Sequence, residues 1–271
     1  MSEMVQTQSD VVQLQVQDSV ALLTLNRPQR LNAWTVELEN SYFTMLEQCA
    51  ANPEVRVIVV TGAGRGFCAG ADMQSLQAIG EDSEQASAHD ADRRPQTLPL
   101  TIPKPIIAAI NGAVAGIGLV QALMCDLRFA AEGAKLTTAF ARRGLVAEHG
   151  ISWMLPRLVG PARALDLLLS GRVVFAEEAQ QLGLVNRVFA PDRLLEATLE
   201  YAHELVINCS PKSMATMKRQ VYADLQRDLP SSLALADELM LESFTAPDFS
   251  EGVTSFIERR DPRFAALGSS A

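Results

Sequence analysis

The sequence predicts an α/β core with a helical region appended after it, and three observations predict this. Short apolar runs of strand length alternate with segments of helical period as far as about residue 190. From Pro191 to Phe264 everything reads helical. Two glycine-rich turns, 66–73 and 111–118, each follow a run that reads as a buried strand, 55–61 and 106–110. Strand–helix alternation followed by a helical tail belongs to layered α/β folds. The core connections recur as strand, strand, helix, without a sequence repeat of fixed period.

Each element has its own signal. Residues 11–17 alternate apolar and polar, and 20–25 are mostly apolar; with Gln17, Asp18 and Ser19 between them they predict a hairpin. A polar turn, 26–30, precedes a helix over 35–50. That helix has apolar spacing at Val36, Leu38, Tyr42, Met45, Leu46 and Cys49, with Thr35 as N-cap. Asn52-Pro53 breaks the chain before a strand at 57–60. The polar stretch 74–101 is poor core material and predicts a mobile segment with at most one helix. Pro103 and Pro105 stiffen the entry to the strand at 106–110. A buried helix at 119–124 and a short strand at 127–130 follow. Helices at 151–159 and 162–169 are separated by Gly160-Pro161. A helix at 176–182, stopped by Gly183, leads to a strand at 185–189.

The chain of 271 residues suffices for one large domain or a domain with an appendage. It is 48% hydrophobic and 20% charged, the balance of a soluble globular protein with a sizeable core. A net charge of −9 argues against nucleic acid or an anionic membrane as the partner. An anionic small ligand then requires a local cluster of arginines or lysines. The four cysteines are scattered without a CxxC pair, which predicts free thiols in a reducing compartment. The polar N-terminus lacks the features of a signal peptide, and no apolar run reaches the roughly 20 residues of a membrane span. The expected location is the cytoplasm. No metal-ligand spacing appears, and no GxSxG. Neither glycine-rich turn matches a dinucleotide fingerprint or a phosphate loop.

Three stretches carry candidate chemistry. Turn 66–73 is built to aim backbone N–H groups at a ligand, because Ala69 and Ala71 are small enough for close approach. The alternative is a tight strand-to-helix connection with Asp72 as a cap. The polar turn carries Arg27 and Arg30, either a phosphate clamp or a solvated surface. In the third stretch, Glu148-His149-Gly150 interrupts an apolar passage, with 144–147 before it and 151–154 after it. A carboxylate enclosed by apolar side chains is driven toward its neutral form, which suits a general acid or base. The alternative places Glu148 in the first helical turn, favoured by the helix dipole, with His149 structural. His89 and His203 read as solvated.

The sequence Asn26-Arg27-Pro28 with Leu31-Asn32-Ala33, segments 66–72 and 106–113, Cys125-Asp126, and segments 157–160 and 251–256 occur in this order. Together they resemble the crotonase (enoyl-CoA hydratase/isomerase) superfamily, from about Val11 to Phe264. The resemblance implies a spiral of ββα repeats over 1–190 that binds an acyl-CoA. It implies a C-terminal helical region, 191–271, that forms a homotrimer or a dimer of trimers. Coenzyme A enters as part of the substrate, with no separate cofactor and no metal. The thioester oxygen falls to the backbone N–H groups of Ala71 and Ile117, the second of which is usually glycine in the family. Arg30, Leu31, Ala69 and Asp72 match positions around the CoA and substrate. Phe256 matches a position that packs near CoA, often from a neighbouring subunit.

Two departures matter. The catalytic glutamates of the hydratases match Val120 and Phe140, both apolar and both expected to dry that part of the pocket. Glu148, eight residues after Phe140, falls where dienoyl-CoA isomerases and aryl-CoA dehalogenases place a catalytic aspartate. The implied chemistry is enolate stabilisation with Glu148 as the single proton-transfer carboxylate. Double-bond isomerisation suits one carboxylate better than hydration. Hydrolytic C–C or thioester cleavage is the alternative, and a non-catalytic acyl-CoA-binding protein is the alternative from another class.

Overall fold

The run Val57–Gly62 is apolar or small at every position, so as strand β4 it can be buried on both faces only between two layers. The computed structural model, which describes residues 5–81 and 93–268, gives it that place. β4 lies in a seven-stranded sheet with β1 (Val5–Gln8), β2 (Val12–Gln17), β3 (Val20–Leu25), β6 (Ile106–Ile110), β8 (Leu127–Ala131) and β11 (Arg187–Phe189), in the order β1-β2-β3-β4-β6-β8-β11. The first three strands pair antiparallel, and β3 onward are parallel. The predicted hairpin forms across Asp18 and Ser19, both at positive φ, as a two-residue turn requires.

A second sheet of four short strands runs in the order β10-β9-β7-β5: β5 (Gly66–Cys68), β7 (Ala113–Ala115), β9 (Lys135–Thr137) and β10 (Val174–Phe175). Consecutive strands alternate between the sheets: β4 then β5, β6 then β7, β8 then β9. Helix α3 (Ile117–Met124) follows the second pair, as α2 (Met73–Glu81) follows the first. This is the expected spiral of ββα units. The small sheet escaped the sequence reading because strands of two or three residues carry no readable alternation.

Helix α1 (Val36–Ala51) begins as predicted at Thr35, whose Oγ1 accepts the Leu38 N–H at 3.2 Å. Its apolar stripe joins one face of the large sheet, with α3, α4 (Ile151–Val159), α5 (Pro161–Ser170) and α6 (Ala176–Leu182), in the main core. Helix α7 (Leu194–Asn208) covers the opposite face, where Leu194 and Ala202 meet Val57, Val59, Ile107 and Phe129. Then come α8 (Pro211–Asp224), α9 (Leu229–Phe244) and α10 (Pro247–Glu258). The helical tail ends at Glu258 rather than Phe264. Arg259 turns left-handed (φ +54), and Arg260 folds back to Glu251 at 2.6 Å. Of the predicted mobile stretch, residues 74–81 form α2 and Leu98–Thr101 a 3-10 turn, while 82–92, His89 included, lie outside the described residues. All four cysteines are free thiols; burial pushes those of Cys49, Cys68 and Cys125 up to about 12. Among the described residues no helix is long and apolar enough to cross a membrane.

Candidate active site

The two glycine-rich turns meet. Asn111 Nδ2 donates to the carbonyls of Gly62 and Gly64 at 2.8 and 2.9 Å, which ties the second turn to the end of β4. Asn32, fully buried, donates to Ala63 O and Gly66 O at 3.0 and 2.8 Å, which ties the Arg27–Asn32 turn to β5. Gly70 has φ +101, and a Cβ there would stand 3.1 Å from Ala115 O, so the two turns touch through backbone. Gly118 has no room for a side chain either. A Cβ would fall 2.7 Å from Cys68 Sγ, so α3 starts directly on β5.

Two residues of these turns, Ala71 and Ile117, line the cavity between them. Trp34 bridges the strand end by its N–H to Gly70 O at 2.8 Å and by accepting from Asp72 N at 2.9 Å. Those bonds use the neighbours of Ala71, so its own N–H points the other way and has no protein acceptor among the described residues. Ile117 is the first residue of α3, where an N–H has no partner within its helix. The preceding Gly116 (φ +49) makes the sharp entry that turns this end of the helix to the cavity.

The cavity measures about 630 Å³. Of the predicted site residues, Arg30, Ala69, Ala71, Asp72, Ile117, Phe140 and Glu148 line it, and His149 does too. Three do not. Val120 is fully buried, packed into the main core from α3, and is not among the lining residues. Leu31 is half-buried outside the lining, beside Gly66. Phe256 stands 86% exposed on α10 and does not reach the cavity of its own chain. Arg30 and Arg143 line the cavity as cations, whereas the lining Arg93 is paired with Glu39.

Three carboxylates are found among the lining residues. Asp72 pairs with Arg27 at 3.3 Å and caps α2 through Gln74 N at 3.1 Å, so its capping alternative is realised. Glu39 sequence reasoning missed. It is 1% exposed and accepts from Trp34 Nε1 (2.9 Å), Arg93 Nε (2.8 Å), Arg93 Nη2 (2.6 Å) and Gln96 Nε2 (2.8 Å). Burial by itself would raise its affinity for a proton, but the bonds from Arg93, Trp34 and Gln96 outweigh burial and hold it below the ordinary value. Glu148 sits in the loop before α4, and its one ion-pair partner among the described residues is His149, at 3.1 Å from Oε2 to Nε2. It is about one-third exposed, not enclosed. Of the apolar neighbours that predicted enclosure, Leu145 lines the cavity while staying 39% exposed and Val146 is 76% exposed outside it, so adjacency in sequence did not become burial.

The sequence model of the enoyl-CoA hydratase/isomerase family matches residues 15–266. The 1,2-epoxyphenylacetyl-CoA isomerase of Escherichia coli K12 is 32% identical over 252 residues, 92% of this chain and 96% of that protein. Among solved structures, the enoyl-CoA hydratase EchA12_1 of Mycobacterium marinum is 50% identical, with TM-score 0.69 over 81% of this chain and all of that one. An enoyl-CoA hydratase from Polaromonas sp. JS666 is 30% identical, with TM-score 0.87 over 93% and 99%.

Proposed function

This chain belongs to the enoyl-CoA hydratase/isomerase family, and from that premise we propose that it moves a double bond in an acyl-CoA thioester through an enolate, with Glu148 as the proton carrier. In this reading the N–H groups of Ala71 and Ile117 receive the thioester oxygen. Donors fixed by backbone are already aimed when charge develops on that oxygen, and each is worth several kcal/mol in such sites. Arg30 and Ala69 border the CoA end, and Phe140 borders the acyl end. Coenzyme A is part of the substrate, and no further cofactor is invoked.

One observation carries the choice of Glu148. Of the three lining carboxylates, Asp72 and Glu39 are each held by an arginine and further donors, whereas among the described residues Glu148 has only the neighbouring histidine. A carboxylate saturated by donors is a poor base; one with a free oxygen can take a proton. The apolar residues at positions 120 and 140 leave no second acid where hydration would use one, which favours isomerisation over addition of water. The Escherichia coli relative is a 1,2-epoxyphenylacetyl-CoA isomerase, which also acts on an acyl-CoA thioester. The assembly we infer is a homotrimer or a dimer of trimers.

The test is a pair of substrates. The enzyme is expected to isomerise 3-hexenoyl-CoA and to hydrate crotonyl-CoA poorly, and Glu148→Gln is expected to lower kcat for the first about a hundredfold or more. Efficient hydration of crotonyl-CoA, or an undiminished Glu148→Gln enzyme, overturns the reading.

A further inference from the structure

We propose that His149 is the positioning residue for Glu148: it occupies one carboxylate oxygen and leaves the other to take and return the proton. This rests on the reading of Glu148 as proton carrier. His149 Nε2 lies 3.1 Å from Glu148 Oε2, and both side chains line the cavity. At ion-pair distance the imidazole stands against one oxygen of the carboxylate and limits how that oxygen can turn.

The backbone points the same way. His149 has φ +58 and Gly150 has φ +82, two left-handed residues in succession before α4. For a residue with a Cβ that conformation is disfavoured, and it is kept where the surroundings impose it, often at sites that work. Successive side chains in extended backbone diverge to opposite sides. The left-handed turn brings those of 148 and 149 together instead, on the cavity side. The other charged groups lining the cavity are Arg30, Glu39, Asp72, Arg93 and Arg143. Asp72 is paired with Arg27 and Glu39 with Arg93, so neither acid is the partner of His149.

With Oε2 held, Oε1 removes the proton from the carbon next to the thioester. The electrons of that C–H bond form the enolate, whose oxygen the two backbone N–H groups receive. As the carbonyl re-forms, the double bond moves by one carbon and the new O–H of Glu148 returns its proton to Cγ. Nothing is oxidised or reduced. His149 stays beside Oε2 before and after and takes no part in the proton transfer.

Two variants respect the backbone, because asparagine and glycine both tolerate a left-handed φ: His149→Asn and His149→Gly. With 3-hexenoyl-CoA as the probe, both are expected to lose about tenfold to a hundredfold in kcat with KM changed less than about twofold, as for partners that orient a catalytic group. Added imidazole is expected to restore part of the loss in His149→Gly, which a merely structural role would not allow. If either variant keeps the wild-type kcat while Glu148→Gln is inactive, or if imidazole restores nothing, the positioning role is wrong. If Glu148→Gln is itself fully active, the reading beneath it fails first. Should the wild type leave the double bond in place, deuterium exchange at Cα of the same thioester is the readout; absence of both overturns the two together.

Discussion

Glu39 is the residue whose neighbourhood departs most from its local sequence. In the sequence it is an acid in the first turn of α1, agreeable to the helix dipole and otherwise unremarked. In the fold it is buried and collects four hydrogen bonds from Trp34, Arg93 and Gln96. Two of those partners come from more than fifty positions away, so no local pattern announces them. Glu39→Ala strands an indole N–H and an amide beside a guanidinium. It is expected to cost about 2–4 kcal/mol, read as a lowered urea midpoint at neutral pH. The pH dependence has a definite sign. Glu39 binds its proton less readily folded than unfolded, so its contribution is fully present above the ordinary glutamate value of 4.5 and is lost as pH falls below it. The stability gap between the wild type and Glu39→Gln is expected to shrink on acidification through that range. Glu148 gives the complementary case. Its identity as a candidate was legible from its position, but its exposure was not, because the loop leaves Val146 facing solvent and Leu145 only partly covered at the cavity.

At the level of elements, legibility followed length and period. Strand β6 and helix α6 match their predicted bounds, and α1 was found with its cap, because each has a run of apolar spacing closed by Thr, Gly or Pro. The small sheet was not found. It is held by register with neighbours distant in the chain, such as β5 against β7, and not by any pattern within three residues. Yet that sheet sets where α3 begins, and hence where the Ile117 N–H lies. Gly118→Ala therefore forces the start of α3 off β5, where backbone and the Cys68 side chain stand too close to yield. The expected result is a loss of about tenfold or more in kcat/KM, with a stability cost of about 1–3 kcal/mol. Gly133→Ala is the control. Unlike Gly118 it has positive φ (+72), but nothing lies within 4 Å of the added carbon, so it is expected to lose about 1 kcal/mol in urea unfolding and no activity.

The whole molecule is a spiral core closed by helices, and the closure is polar on the inside and apolar on the outside. Inside, Lys218 on α8 donates to Asp126 Oδ2 at 2.8 Å and to the carbonyls of Pro99 and Lys104, while Tyr222 donates to Asp126 Oδ1 at 3.0 Å. Arg56 reaches from the core to Phe264 O at 2.6 Å and fixes the end of the tail. Outside, α9 and α10 carry Leu229, Leu233, Leu241, Phe256 and Ile257, each more than half exposed, where a monomeric surface would have polar residues. Leu169 on α5 adds to the exposed apolar surface. An amphipathic helix whose outer side is also apolar is explained by a second packing partner, and a closed ring of identical copies supplies one without leaving an open end. Sedimentation at micromolar concentration is therefore expected to give an assembly of several chains. Leu241→Asp together with Ile257→Asp places two charges in that contact, where each would have to be buried unpaired. The pair is expected to shift the protein toward the monomer while leaving its far-ultraviolet circular dichroism unchanged, since both side chains are solvent-facing in the single chain. A wild type that sediments as a monomer would leave the exposed apolar surface of the tail without that explanation.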